Sequence, residues 1–182
     1  MKLIPLFFFL CLFIPNTVLS APFNYSTHCH IDKADLEDHS KGNAACLIFV
    51  DDKLLVVQNG IDISLPGGEP LNPTEVKIEE SSRHTACRNT LEEVLGLRLS
   101  RQNQISVKNV FNSDKDLTLY QCELNEATYN HVIDNAPYKV IDGNLKRNGI
   151  FEVRLIRPES NPQFQFKYPA TLVKKITGLM GR

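Results

Sequence analysis

Residues 43–182 predict one α+β domain with a mixed β-sheet, and three observations carry that expectation. Apolar runs of strand length recur along the chain, "ACLIFV", "KLLVVQ", "QISVKNVFN", "LTLYQCEL" and "GIFEVRLIR". Several are rich in the β-branched and aromatic residues that suit a pleated surface. Two other segments, from about Glu80 to Leu95 and "PATLVKKITGLM", have helical spacing instead. No internal repeat, low-complexity tract or linker divides them, and the length suits a single core.

The chain opens with Met1 and Lys2, an apolar stretch "LIPLFFFLCLFIP" and a small-residue exit "NTVLSAP". That is the layout of a signal peptide over residues 1–20, too short to span a bilayer comfortably, with a mature start near Ala21. A secreted or periplasmic location follows from it. Residues 21–42 are polar and without periodicity, so they read as an exposed arm, with His28, Cys29 and His30 clustered in it. "ACLIFV" and "KLLVVQ" then form a hairpin hinged at Asp51 and Asp52.

The Pro and Gly cluster in "IDISLPGGEPLNP" argues against regular structure there. In the helix that follows, roughly 100° per residue places Cys87, Thr90, Leu91, Val94 and Leu95 on a packed side. Asn89, Glu92 and Glu93 fall together on the opposite, acidic side. "EATYNHVIDNA" reads as a short helix or loop, and Pro169 opens a C-terminal helix.

Charge is balanced, with Lys+Arg 20 against Asp+Glu 21, so no broad basic surface points to nucleic acid. Once Cys11 leaves with the signal, Cys29, Cys46, Cys87 and Cys122 remain, an even number in an oxidising compartment. Those four thiols allow three full connectivities, and nothing in the sequence chooses among them. Alternatively Cys46, Cys87 and Cys122 are small buried hydrophobes. If a bridge exists, Cys29 is expected in it, because tying a polar arm to the domain restricts the unfolded chain. No cysteine has the C-x-x-C or His-Cys spacing of a zinc site.

The chemistry lies around "SLPGG" and "ESSRHTACRNTLEEVLGL". A glycine turn followed by a helix that lines up carboxylates is what a divalent-metal phosphate site needs, since hard cations take oxygen ligands and acids three or four residues apart share a helix face. This stretch is similar to the signature of the Nudix hydrolases, G-x5-E-x7-R-E-U-x-E-E-x-G-U with U aliphatic. Glu80, seven residues, then Arg88 reproduce its middle spacing, and Glu92 and Glu93 match its paired acids. The flanking strands fall where that fold has them, so the likeness covers most of the mature chain. It is especially similar to bacterial exported Nudix domains.

The resemblance implies a Nudix-like α/β/α sandwich with a mixed sheet, and a metal-dependent hydrolase of a nucleoside-diphosphate or related pyrophosphate. Mg²⁺ or Mn²⁺ is the implied cofactor and a small diphosphate the implied partner. It implies Glu80, Glu92 and Glu93 as metal ligands, with Glu92, Glu93, Arg88 and the late strand acid Glu152 as the catalytic set. Gly67 and Gly68 would shape the substrate side. Four departures stand out: eleven residues separate Gly68 from Glu80, Asn89 stands where the signature has an acid, Thr90 stands where it has an aliphatic residue, and Leu95 is extra before Gly96. Loop insertion costs little. Asn89 removes a charge from a dication site, and it motivates the other reading, a catalytically reduced Nudix fold that binds a ligand or a protein.

Overall fold

Alternation along one strand sorts the core into two halves. The structure, a computed structural model, describes residues 28–31, 42–71, 80–96, 104–113, 116–141, 150–157 and 165–180, so the expected signal peptide lies outside the described residues. In β2 (Ala44–Leu47) and the residue after it, Ala44, Cys46 and Ile48 point to one side and Ala45 and Leu47 to the other, as a period of two requires. The first side packs on α1 (Ser82–Arg88), the π-helical turn Asn89–Val94 that continues it, and α2 (Glu126–Asn135) through Ala86, Cys87, Leu91, Val94 and Val132. The second packs on α3 (Ala170–Met180) through Leu172 and Ile176. Helices therefore cover both faces of the strands, and the α+β expectation holds.

Two mixed sheets run through the middle. In the first, β1 (Cys29–Ile31), β7 (Ile105–Ser113), β8 (Thr118–Leu124), β2 and β6 (Gly67–Gly68) lie side by side in that order. β1 is parallel to β7, and β2 is parallel to β8. In the second the order is β11 (Gln165–Phe166), β5 (Asp62–Ser64), β4 (Lys53–Asn59), β10 (Ile150–Ile156), β9 (Tyr138–Ile141), with β3 (Phe49–Val50) also on β4. The expected hairpin is the β3–β4 pair, with Phe49 opposite Leu54 and Val50 opposite Lys53. Asp51 takes a positive φ of 55° in its turn, which a short polar side chain tolerates.

Three expectations are corrected. Residues 28–31 are no exposed arm: β1 docks on the sheet edge, and His28 and Cys29 are buried. The stretch around the glycines is regular, since β5 pairs with β4, and Gly67 and Gly68 pair antiparallel with Ala45 and Ala44. Only glycine brings a backbone that close to β2. Asn89, placed on an outward face by helical spacing, is fully buried.

Both halves of the cysteine question resolve together. Cys29 bonds Cys87 and Cys46 bonds Cys122, with Cα–Cα distances of 6.0 and 5.4 Å and sequence separations of 58 and 76. Cys29 is bridged as expected, and the buried cysteines are disulfide-bonded. Closing loops of that length restricts the unfolded chain by roughly 4 kcal/mol each in the chain-entropy picture. Among the described residues no helix is long and apolar enough to cross a membrane.

Candidate functional site

Ser81 begins the site helix. Its hydroxyl accepts from the His84 N–H at 3.4 Å and lies 3.0 Å from His84 Nδ1, satisfying one of the open donors of the first turn. Burial pulls the His84 pKa below the ordinary imidazole value, against the raising influence of the Glu80 carboxylate. Arg83, two residues further on than the cap, is buried and lies 4.8 Å above the Tyr120 ring. It also donates to the Lys108 carbonyl, so the helix is pinned to the first sheet on that side.

Glu80 sits just before the helix and is the centre of the cluster. Arg88 Nε donates to Glu80 Oε1 at 2.7 Å and Nη2 to Oε2 at 3.0 Å, the bidentate fork that suits a carboxylate. Oε2 also accepts from the Leu71 N–H at 2.9 Å and from Thr85 Oγ1 at 3.2 Å. The two side chains are 2% and 5% exposed, so this is a buried pair with its hydrogen bonds satisfied. Arg88 Nη1 then reaches Glu92 Oε2 at 4.0 Å, one helical turn along.

The loop from Pro66 to Glu69 lies over residues 88–90. Arg88 Nη2 and Asn89 Nδ2 both donate to the Glu69 carbonyl, at 3.1 and 3.2 Å, and the Thr90 hydroxyl, which donates to Ala86 O at 2.7 Å, lies 3.4 Å from Pro66 O. The main-chain carbonyl of Glu69 thus meets the helix at two side chains. Because the Asn89 amide nitrogen is committed to that carbonyl, Oδ1 turns away from it, buried and with no hydrogen-bond partner. Such an orphan acceptor costs about 1–3 kcal/mol. At Asn89 the helix widens to i→i+5 bonding, as in Leu95 N–H to Thr90 O at 2.9 Å, a departure frequent at functional sites.

Of the residues singled out from sequence, the structure thus brings together Gly67, Gly68, Glu80, Arg88 and Glu92. Glu93 belongs to the same turn. Glu152 stands elsewhere: it lies on β10 opposite Gln58 and Lys139, and Arg154 Nε binds its Oε1 at 2.8 Å. Sequence reasoning missed Thr85, Leu71 and the Glu69 carbonyl, because a backbone acceptor and a helix threonine carry no spacing signal. Among the described residues no three His, Cys, Asp or Glu side chains converge on a metal position. The chain matches no family in a scan of family models, no curated protein and no solved structure.

Proposed function

We propose that the chain is an exported, Nudix-like hydrolase of a nucleoside diphosphate or a related pyrophosphate. The observation that carries this reading is the buried fork of Arg88 on Glu80, set beneath the glycine turn and extended to Glu92. Surface pairs seldom use so many desolvated donors. Glu80, whose two oxygens already accept four hydrogen bonds, anchors Arg88; Arg88 in turn orients Glu92. We assign metal ligation to Glu92 and Glu93, on the resemblance of the sequence to the Nudix signature.

Mg²⁺ or Mn²⁺ is the ion that the resemblance implies; Glu92 would contribute a carboxylate, and the buried, unpartnered Asn89 Oδ1 would offer a second hard oxygen. When bound, such an ion neutralises pyrophosphate charge and makes a water more acidic. The protein's own part is to fix that geometry: Arg88 orients the Glu92 carboxylate, and the Pro66–Glu69 loop covers residues 88–90. The expected export rests on the leader at residues 1–20 and agrees with the two disulfides.

Purified protein with excess Mn²⁺ should release phosphate or a nucleoside monophosphate from a member of a diphosphate panel. Glu92→Gln should cut that rate by about 100-fold or more, because it removes a charge at the reacting centre. Silence of the oxidised wild type across the panel counts against the hydrolase.

Asn89 favours a second reading, a binding module on the same scaffold. Its amide holds the Glu69 carbonyl, so the residue in the acid's place is engaged in structure. Calorimetric titration separates the two: the hydrolase takes up Mn²⁺ with an affinity that falls on Glu93→Gln, and the module shows no metal heat. Asn89→Glu is the companion probe, and a gain of hydrolysis would show a scaffold that lacks only the acid.

A further inference from the structure

The two disulfides differ in what they join. Cys46 lies opposite Tyr120 in the β2–β8 pairing, so Cys122 is two residues along on the same face. That bridge duplicates a connection the strand ladder already makes. Cys29 and Cys87 belong to different layers: one begins the edge strand β1, the other sits fully buried in α1 immediately before Arg88 and Asn89. β1 itself is held to the sheet by only three register pairs, Cys29 with Ile105, His30 with Ser106 and Ile31 with Val107. A three-residue edge strand opens readily without another tie.

We propose that the Cys29–Cys87 disulfide is a redox latch on the site helix, closed in an oxidising compartment and opened by a dithiol reductant. The functional part of this inference rests on the hydrolase reading above; the mechanical part does not. A reductant thiolate attacks Cys29 Sγ, on the less deeply buried residue of the pair, Cys29 being 8% and Cys87 0% exposed. The Sγ–Sγ bond breaks and Cys87 leaves as a thiolate that takes a proton from water. The reductant's second thiol then displaces Cys29 as a thiol and closes its own disulfide. Two electrons and two protons pass to the protein. With the bridge open, β1 leaves the β7 edge, and the helix loses the fastening next to the residue that orients Glu92. Before export, in a reducing compartment, the site is therefore loose, and it tightens on oxidation.

The test is hydrogen exchange on the oxidised full chain and on two double variants, Cys29→Ala with Cys87→Ala, and Cys46→Ala with Cys122→Ala. The first should raise exchange in residues 82–94 roughly tenfold or more relative to residues 150–156 of β10, which carry neither bridge. The second should leave that ratio unchanged. An unchanged ratio in the first variant, or an equal rise in both, overturns the latch. Titrating wild-type protein with a small dithiol needs no variant to fold: helix exchange should rise as the Cys87 thiol appears, and a rise that follows the Cys46 thiol instead overturns the proposal. If a diphosphate is hydrolysed, its turnover should fall by a comparable factor in the same step. If none is, the hydrolase reading fails while the exchange result still decides the latch.

Discussion

Gly67→Ala should destabilise the protein by about 3 kcal/mol or more, at the upper end of what overpacking costs. A Cβ added there would lie 2.3 Å from the Ala44 carbonyl oxygen and 2.4 Å from both Ala45 Cα and Ala45 Cβ. Two of those three atoms are main chain, so no side-chain rotation relieves the clash. The main chain of β2 is poorly placed to retreat, since its other edge is laddered to β8 and Ala44 and Ala45 are 0% and 2% exposed. Separation of β6 from β2 is the remaining outlet, and that would lift the Pro66–Glu69 loop off Arg88, Asn89 and Thr90. Gly178→Ala is the opposite case: nothing lies within 4 Å of its added Cβ in α3, and alanine should stabilise that helix by about 0.5–1 kcal/mol. Urea midpoints of the two variants should therefore move in opposite directions. Equal midpoints would mean that β6 does not pack on β2 as described.

The longer strands were legible because burial on both faces makes a strand a near-continuous apolar run, as in Leu54, Leu55 and Val56, all fully buried. β4, β7, β8 and β10 fall where "KLLVVQ", "QISVKNVFN", "LTLYQCEL" and "GIFEVRLIR" predict them. β1, β6 and β11 have two or three residues each, and their conformation comes from the strand they pair with, which local composition does not contain. Asn89 illustrates the same limit on a helix. Angular spacing establishes that it shares a face with Glu92, but not that a loop arriving from Pro66 covers that face. The spacing from Glu80 to Arg88 was legible in number and has a physical cause in the structure: seven intervening residues bring a carboxylate before the helix into reach of a guanidinium two turns up it.

Arg88→Met should cost about 3–5 kcal/mol of stability, since it leaves the buried Glu80 carboxylate without its cation. The Leu71 N–H and Thr85 hydroxyl would still donate to Oε2, but Oε1 would lose the 2.7 Å bond from Arg88 Nε. Glu80→Gln keeps the side chain's size and removes the charge, leaving Arg88 to the Glu69 carbonyl at 3.1 Å and Glu92 at 4.0 Å; it should cost less than Arg88→Met for that reason. The exposed pairs Lys108–Glu123 and Lys167–Asp62 supply the scale for an ordinary surface ion pair, on the order of 0.5 kcal/mol or below. Combining Glu80→Gln with Arg88→Met removes both charges at once, so the double variant should be more stable than the sum of the singles predicts, by about 2 kcal/mol or more. Chemical unfolding of the four proteins measures that coupling directly. Additive losses would show that Glu80 and Arg88 do not depend on each other, and the fork that carries the functional proposal would lose its meaning.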